Sequence, residues 1–107
     1  MLDKLVVMSL ERFPRIRVDF NELVEPGLVL LSKTDLVRCD DGTEAVLQPG
    51  MALVAFEYNE YEDGTTEYLF VQGNAERNDP ERNGEWTRAA QWCCRFSGDV
   101  QCADSRV

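Results

Sequence analysis

The chain has 107 residues, 44% apolar and 29% charged, with a formal net charge of −9 and no histidine. That size and balance fit a single small domain spanning residues 1–107, with no linker or low-complexity tract to divide it. The missing histidine excludes a Ser-His or Cys-His nucleophile pair and any His-ligated metal. The acidic balance makes nucleic acid an unlikely partner, because such binding rests on Lys and Arg neutralising phosphates.

The longest unbroken apolar run, Met51–Phe56, has six residues, far short of the ~20 that span a bilayer, so no membrane association is expected. The opening MLDKLVVMSLERF has a short apolar stretch, an acid at Asp3 and no small-residue cleavage site, unlike a secretion signal. The expected location is the cytoplasm, where four cysteines stay reduced.

In chain order, Leu2, Leu5, Val6 and Ser9 sit at helical spacing for only about two turns, which leaves residues 1–13 open between one short N-terminal helix and a strand. Arg15–Phe20 alternates: Ile16, Val18 and Phe20 form one face, Arg15, Arg17 and Asp19 a solvent face. Asn21–Glu25 fits a turn or a single helical turn. Leu28–Leu31 is apolar throughout, as in a strand buried on both faces. Six dipeptides mark turns: Pro26-Gly27, Asp41-Gly42, Pro49-Gly50, Asp63-Gly64, Asn83-Gly84 and Ser97-Gly98.

Asp-Gly between apolar runs predicts a hairpin with a two-residue loop. Around Asp41-Gly42 this pairs Cys39 with Glu44 and Val37 with Val46. Around Asp63-Gly64 it pairs Glu60 with Glu67, Tyr58 with Leu69 and Phe56 with Val71. Asn74–Glu85 is polar and reads as a mobile loop. Gln91–Phe96 reads as a strand with Trp92, Cys94 and Phe96 facing the core and Gln91, Cys93 and Arg95 facing the other way.

Short strands separated by frequent turns indicate an all-β domain: a small antiparallel barrel, SH3-like and partly open, with a compact β-sandwich as the alternative. The cysteines lack a C-x2-C pair, and strand neighbours Cys93 and Cys94 face oppositely, so they cannot bond to each other. They read as buried small hydrophobes, with Cys102 as the exposed thiol.

No P-loop or dinucleotide fingerprint is present, and Tyr61 and Phe70 fall where an EF-hand loop needs oxygen ligands. No cofactor, no metal and no catalytic residue is assigned, and the balance leans away from an enzyme. The charge is uneven: residues 54–70 hold five acids and no base, a net −5. The expected function is a non-catalytic protein-binding module, an inhibitor, immunity-type or accessory factor. A basic protein or peptide would dock on the acidic, aromatic hairpin through Glu57, Glu60, Tyr61, Glu62, Asp63, Glu67 and Tyr68. The plain alternative is that the acids keep the hairpin soluble and deter edge pairing. Two further readings are a nucleic-acid-binding barrel using Arg77, Arg82, Arg88 and Arg95 with Trp86 and Trp92, and a thiol or zinc protein using Cys39, Cys93, Cys94 and Cys102.

Overall fold

The computed structural model describes residues 13–103, and the short helix or strand expected near the N-terminus lies outside them. Among the described residues, β1 is Arg15–Arg17, β2 Leu23–Glu25, β3 Leu28–Ser32, β4 Leu36–Arg38, β5 Glu44–Val46, β6 Ala52–Glu60, β7 Thr66–Arg77, β8 Trp92–Arg95 and β9 Gln101–Ala103. Helical pieces are short: a 3-10 turn at Phe20–Glu22, α1 at Pro80–Asn83 and a second 3-10 turn at Glu85–Thr87. The all-β class is therefore observed.

Seven strands form one sheet in the order β1-β6-β7-β8-β3-β2, with β9 added to β7, while β4 and β5 pair only with each other. The path ends at β1 and β2 without closing on itself. β7 organises the sheet. One edge pairs with β6 from Thr66 to Asn74; the other carries β9 at Tyr68–Phe70 and β8 at Asn74–Arg77. Gly73 makes the approach of β8 possible, since a Cβ there would lie 2.5 Å from the Arg95 carbonyl oxygen and 2.6 Å from Cys94 Sγ.

β3 and β8 form the doubly covered centre. Val29, Leu31, Trp92 and Cys94 enter the main core with Ile16, Leu53, Ala55 and Val71, while Leu28, Leu30 and Cys93 pack with Ala90 on the opposite side. The apolar run Leu28–Leu31 and the Trp92/Cys94 alternation thus have the orientations expected from sequence. Fully burying a side chain the size of Leu contributes about 1.5–3 kcal/mol, so this pair of strands carries much of the stability. Trp92 Nε1 donates to Asp35 Oδ1 at 2.9 Å, which satisfies the indole in the interior.

Several expectations are corrected. β1 does pack Ile16 and Val18 inward, but it pairs parallel to β6, with Arg15 opposite Val54 and Arg17 opposite Phe56. Arg15 is buried rather than solvent-facing. The strand stops short of Phe20 because Asp19 accepts a hydrogen bond from the Asn21 amide and starts the 3-10 turn.

The segment Asn74–Glu85 is no loop throughout. Asn74–Arg77 ends β7, and Asp79 and Pro80 start α1. Asn78 anchors α1 and the second 3-10 turn: its side-chain amide donates to the carbonyls of Thr87 and Ala90 at 2.9 Å each and accepts from Asn83 at 2.8 Å.

All six glycines of the turn dipeptides have positive φ, yet both Asp-Gly hairpins are shifted by one residue. Leu36 faces Val46 and Arg38 faces Glu44; Phe56 faces Phe70, Tyr58 faces Tyr68 and Glu60 faces Thr66. The loops contain three residues, Asp40–Gly42 and Glu62–Gly64. A one-residue slip exchanges faces, so Glu60 does not oppose Glu67, and Tyr68 joins Phe56 and Tyr58 instead of Tyr61.

Candidate functional site

The outer half of the β6–β7 hairpin holds most of the acids of residues 54–70, and the two faces of its ladder differ. Phe56, Tyr58, Glu60, Thr66, Tyr68 and Phe70 share one face; Glu57, Asn59, Glu67 and Leu69 share the other, following the register. On the first face Tyr68 is the anchor. Only 1% exposed, it stacks on Phe56 with ring centroids 5.6 Å apart and lies 5.7 Å from the Phe70 ring. Its hydroxyl accepts a hydrogen bond from Arg15 Nη1 at 3.0 Å.

Six of the seven residues named from sequence divide into two groups, and Glu67 lies between them. Glu57 and Tyr68 belong to the base: Glu57 Oε1 accepts from the Phe20 amide at 2.8 Å and ties the hairpin to the first 3-10 turn. Glu60, Tyr61, Glu62 and Asp63 are exposed at the tip. Asp63 builds the turn, with its Oδ1 accepting from the Thr65 amide at 2.9 Å and the Thr65 hydroxyl at 2.6 Å. Those bonds hold its carboxyl below the usual range.

Glu67 is half-buried beside the tip and accepts the Tyr61 hydroxyl at 2.9 Å. That bond, followed by desolvation, raises the Tyr61 phenol above its ordinary value. Cys102 of β9 donates weakly to the same carboxylate at 3.7 Å. The tip is therefore a fixed arrangement: Tyr61 is oriented by Glu67, Tyr58 is 40% exposed, and Glu60 and Glu62 are exposed in a stretch, residues 54–70, that holds no base. Sequence reading missed Tyr58 because the shifted register put it on a core face.

The other named groups are placed differently. Trp92 is fully buried, with the Arg77 guanidinium 4.4 Å from its ring centroid. Arg77 pairs with Asp35, Arg88 with Glu85, and Arg95 with both Glu76 and Glu25. Of the Arg/Trp set, Trp86 is 58% exposed and Arg82 also faces solvent. Cys39, Cys93 and Cys94 are buried and Cys102 is exposed. Burial, reinforced by Glu76, pushes the Cys93 thiol up to about 11; burial, reinforced by Cys93, pushes Cys94 up to about 12. Such thiols are poor nucleophiles at neutral pH. Among the described residues no cluster of three or more potential metal ligands occurs, and no helix is long and apolar enough to cross a membrane.

Beside the base of the hairpin, Arg17 of β1 and Arg38 of β4 meet Phe56, Tyr58 and Tyr68 around a cavity of about 560 Å³. No sequence motif marks it. The amide of Asp40 donates to the Arg15 carbonyl at 3.0 Å, and that contact brings the β4–β5 hairpin against β1.

Compared with known proteins, the chain matches no protein-family model, no curated protein and no solved structure.

Proposed function

We propose that this protein is a non-catalytic binding module that docks a basic protein or peptide on the tip of its β6–β7 hairpin, as an inhibitor, immunity-type or accessory factor would. The observation that carries this reading is the juxtaposition of exposed rings, Tyr58 and Tyr61, with the carboxylates of Glu60 and Glu62 on one rigidly based hairpin. The acids speed the approach of a cationic partner. The rings supply contact area at little entropic cost, and Tyr61 is already oriented by Glu67. Glu57, Asp63 and Tyr68 support the tip from within. A partly open, SH3-like barrel is the frame we assign to the module, supported by the sharing of β7 among β6, β8 and β9. The cytoplasm is the compartment we assign to it, since four cysteines without a disulfide suit a reducing environment.

The test is a quantitative capture from native cells with the wild-type chain and with Glu60→Lys/Glu62→Lys. Specific partners should be basic and should be lost from the variant, while circular dichroism of the two chains is the same. Identical captured sets would overturn the reading.

A further inference from the structure

Beside the hairpin tip, with which it shares Tyr58, we propose that the cavity between β1, β4 and the β6–β7 base binds a small planar molecule bearing an oxyanion, either carboxylate or phosphate. Its size comes first. About 560 Å³ lies within the ~300–1,000 Å³ typical of small-molecule sites. One wall is aromatic, made of Phe56, Tyr58 and Tyr68. These rings are held in a row by the stacking of Phe56 on Tyr68 and by the Tyr58–Tyr68 register. Of the three, Tyr58, 40% exposed, is the ring that offers a flat ligand a stacking surface, and the buried Phe56 and Tyr68 back it.

The opposite chemistry is cationic. Arg17 and Arg38 both line the cavity, and among the described residues neither forms a salt bridge. The Arg17 guanidinium lies over the Phe56 ring, 5.7 Å from its centroid. Two guanidinium forks match the paired oxygens of a carboxylate or phosphate. Their concentration here contrasts with a chain whose net charge is −9.

Tyr68 also ties the lining to a third arginine. The Tyr68 hydroxyl accepts from Arg15. Arg15, itself buried, sets a third positive charge behind that phenol. Asp40 also lines the space.

Four probes test the proposal on the full chain: 4-hydroxybenzoate and adenosine 5′-monophosphate as ring-bearing oxyanions, adenosine as a neutral ring, and inorganic phosphate as an anion without a ring. Calorimetry and the ring resonances of Phe56, Tyr58 and Tyr68 report binding. At least one ring-bearing oxyanion should bind saturably, and whether it is the carboxylate or the phosphate distinguishes the two sources. Its affinity should exceed that of adenosine and of phosphate by about tenfold, and fall about tenfold in Arg17→Gln/Arg38→Gln. Both arginines are exposed, so the variant's fold can be checked by circular dichroism, and Glu60→Gln/Glu62→Gln should leave this binding unchanged. Failure of both ring-bearing anions to saturate at millimolar concentration overturns the proposal. So does equal binding of inorganic phosphate, or a ligand-free protein in which ring resonances already show contacts to another segment of the chain filling the cavity.

Discussion

Two hairpins in this molecule are built on the same turn and do different things with it. In Cys39-Asp40-Asp41-Gly42-Thr43 and in Tyr61-Glu62-Asp63-Gly64-Thr65, an aspartate oxygen accepts both the amide and the hydroxyl of the threonine two positions on. The glycine between them has φ of +87° in each. The strands then diverge. β4 and β5 are three residues each and pair with nothing else, while β6 and β7 run nine and twelve residues through the middle of the main sheet. The first hairpin exposes Leu36 and Val46 and carries Arg38; the second exposes Tyr58 and Tyr61 among carboxylates, in a stretch, residues 54–70, that holds no base. The turn sets the register. The side chains on the strands decide whether that register shapes a core, a cavity or a docking tip.

The largest expected contrast follows from burial. Tyr68→Ala removes a buried ring and leaves the Arg15 guanidinium without its acceptor, so it should destabilise by about 3–5 kcal/mol. Leu36→Ala, at a half-exposed position of the short hairpin, should change stability by no more than about 0.5 kcal/mol. Urea unfolding of the two variants measures this. Equal losses would mean that the long hairpin is not the structural centre.

A second contrast is one of pH. Cys93 and Cys94, in the strand beside β7, titrate near 11 and 12 because burial disfavours their thiolates. In the unfolded chain a thiol ionises near ~8.5. Below that value both states keep the proton and these thiols leave stability flat. Above it only the unfolded chain releases protons, so stability falls as pH rises towards the folded values. Denaturant midpoints taken from pH 8 to pH 11, with Cys93→Ala/Cys94→Ala as the comparison, should show a steeper decline in the wild type; parallel curves would contradict the burial of these thiols.

A third stability contrast probes the feature that the hairpins share. A Cβ at Gly42 or Gly64 meets nothing within 4 Å, so only the backbone resists it. Gly42→Ala and Gly64→Ala should each cost about 1 kcal/mol through positive-φ strain. A cost at one turn alone would show that the turns are not equivalent.

These hairpins also show how far the sequence could be read. Glycine announced the turns because positive φ is a local property. Asp-Gly suggested a two-residue loop, and the signal for a longer one was the threonine after each glycine. Its amide and hydroxyl both reach the aspartate, which stabilises a type I turn followed by a left-handed residue. Without that signal every face of the long hairpin inverts, and for that reason Tyr68 was grouped with the surface acids and Tyr58 with the core. The centre was legible because Leu28–Leu31 and Trp92–Cys94 are apolar whichever way they face. Arg17 and Arg38 were not legible as neighbours: their strands meet through the Asp40 amide on the Arg15 carbonyl and through core packing of Val37 and Cys39 with Ile16 and Val18, contacts that no local pattern encodes.

The comparison ends at the two tips, where the functional reading stands or falls. With a captured basic partner in hand, equilibrium binding should be measured for the wild type, for Glu60→Gln/Glu62→Gln and for Glu44→Gln on the short hairpin, each at low and high salt. The account predicts binding about tenfold weaker for the Glu60/Glu62 variant at low salt, a smaller gap at high salt, and wild-type affinity for Glu44→Gln. Unchanged affinity in the Glu60/Glu62 variant, or an equal loss in both variants, would contradict it.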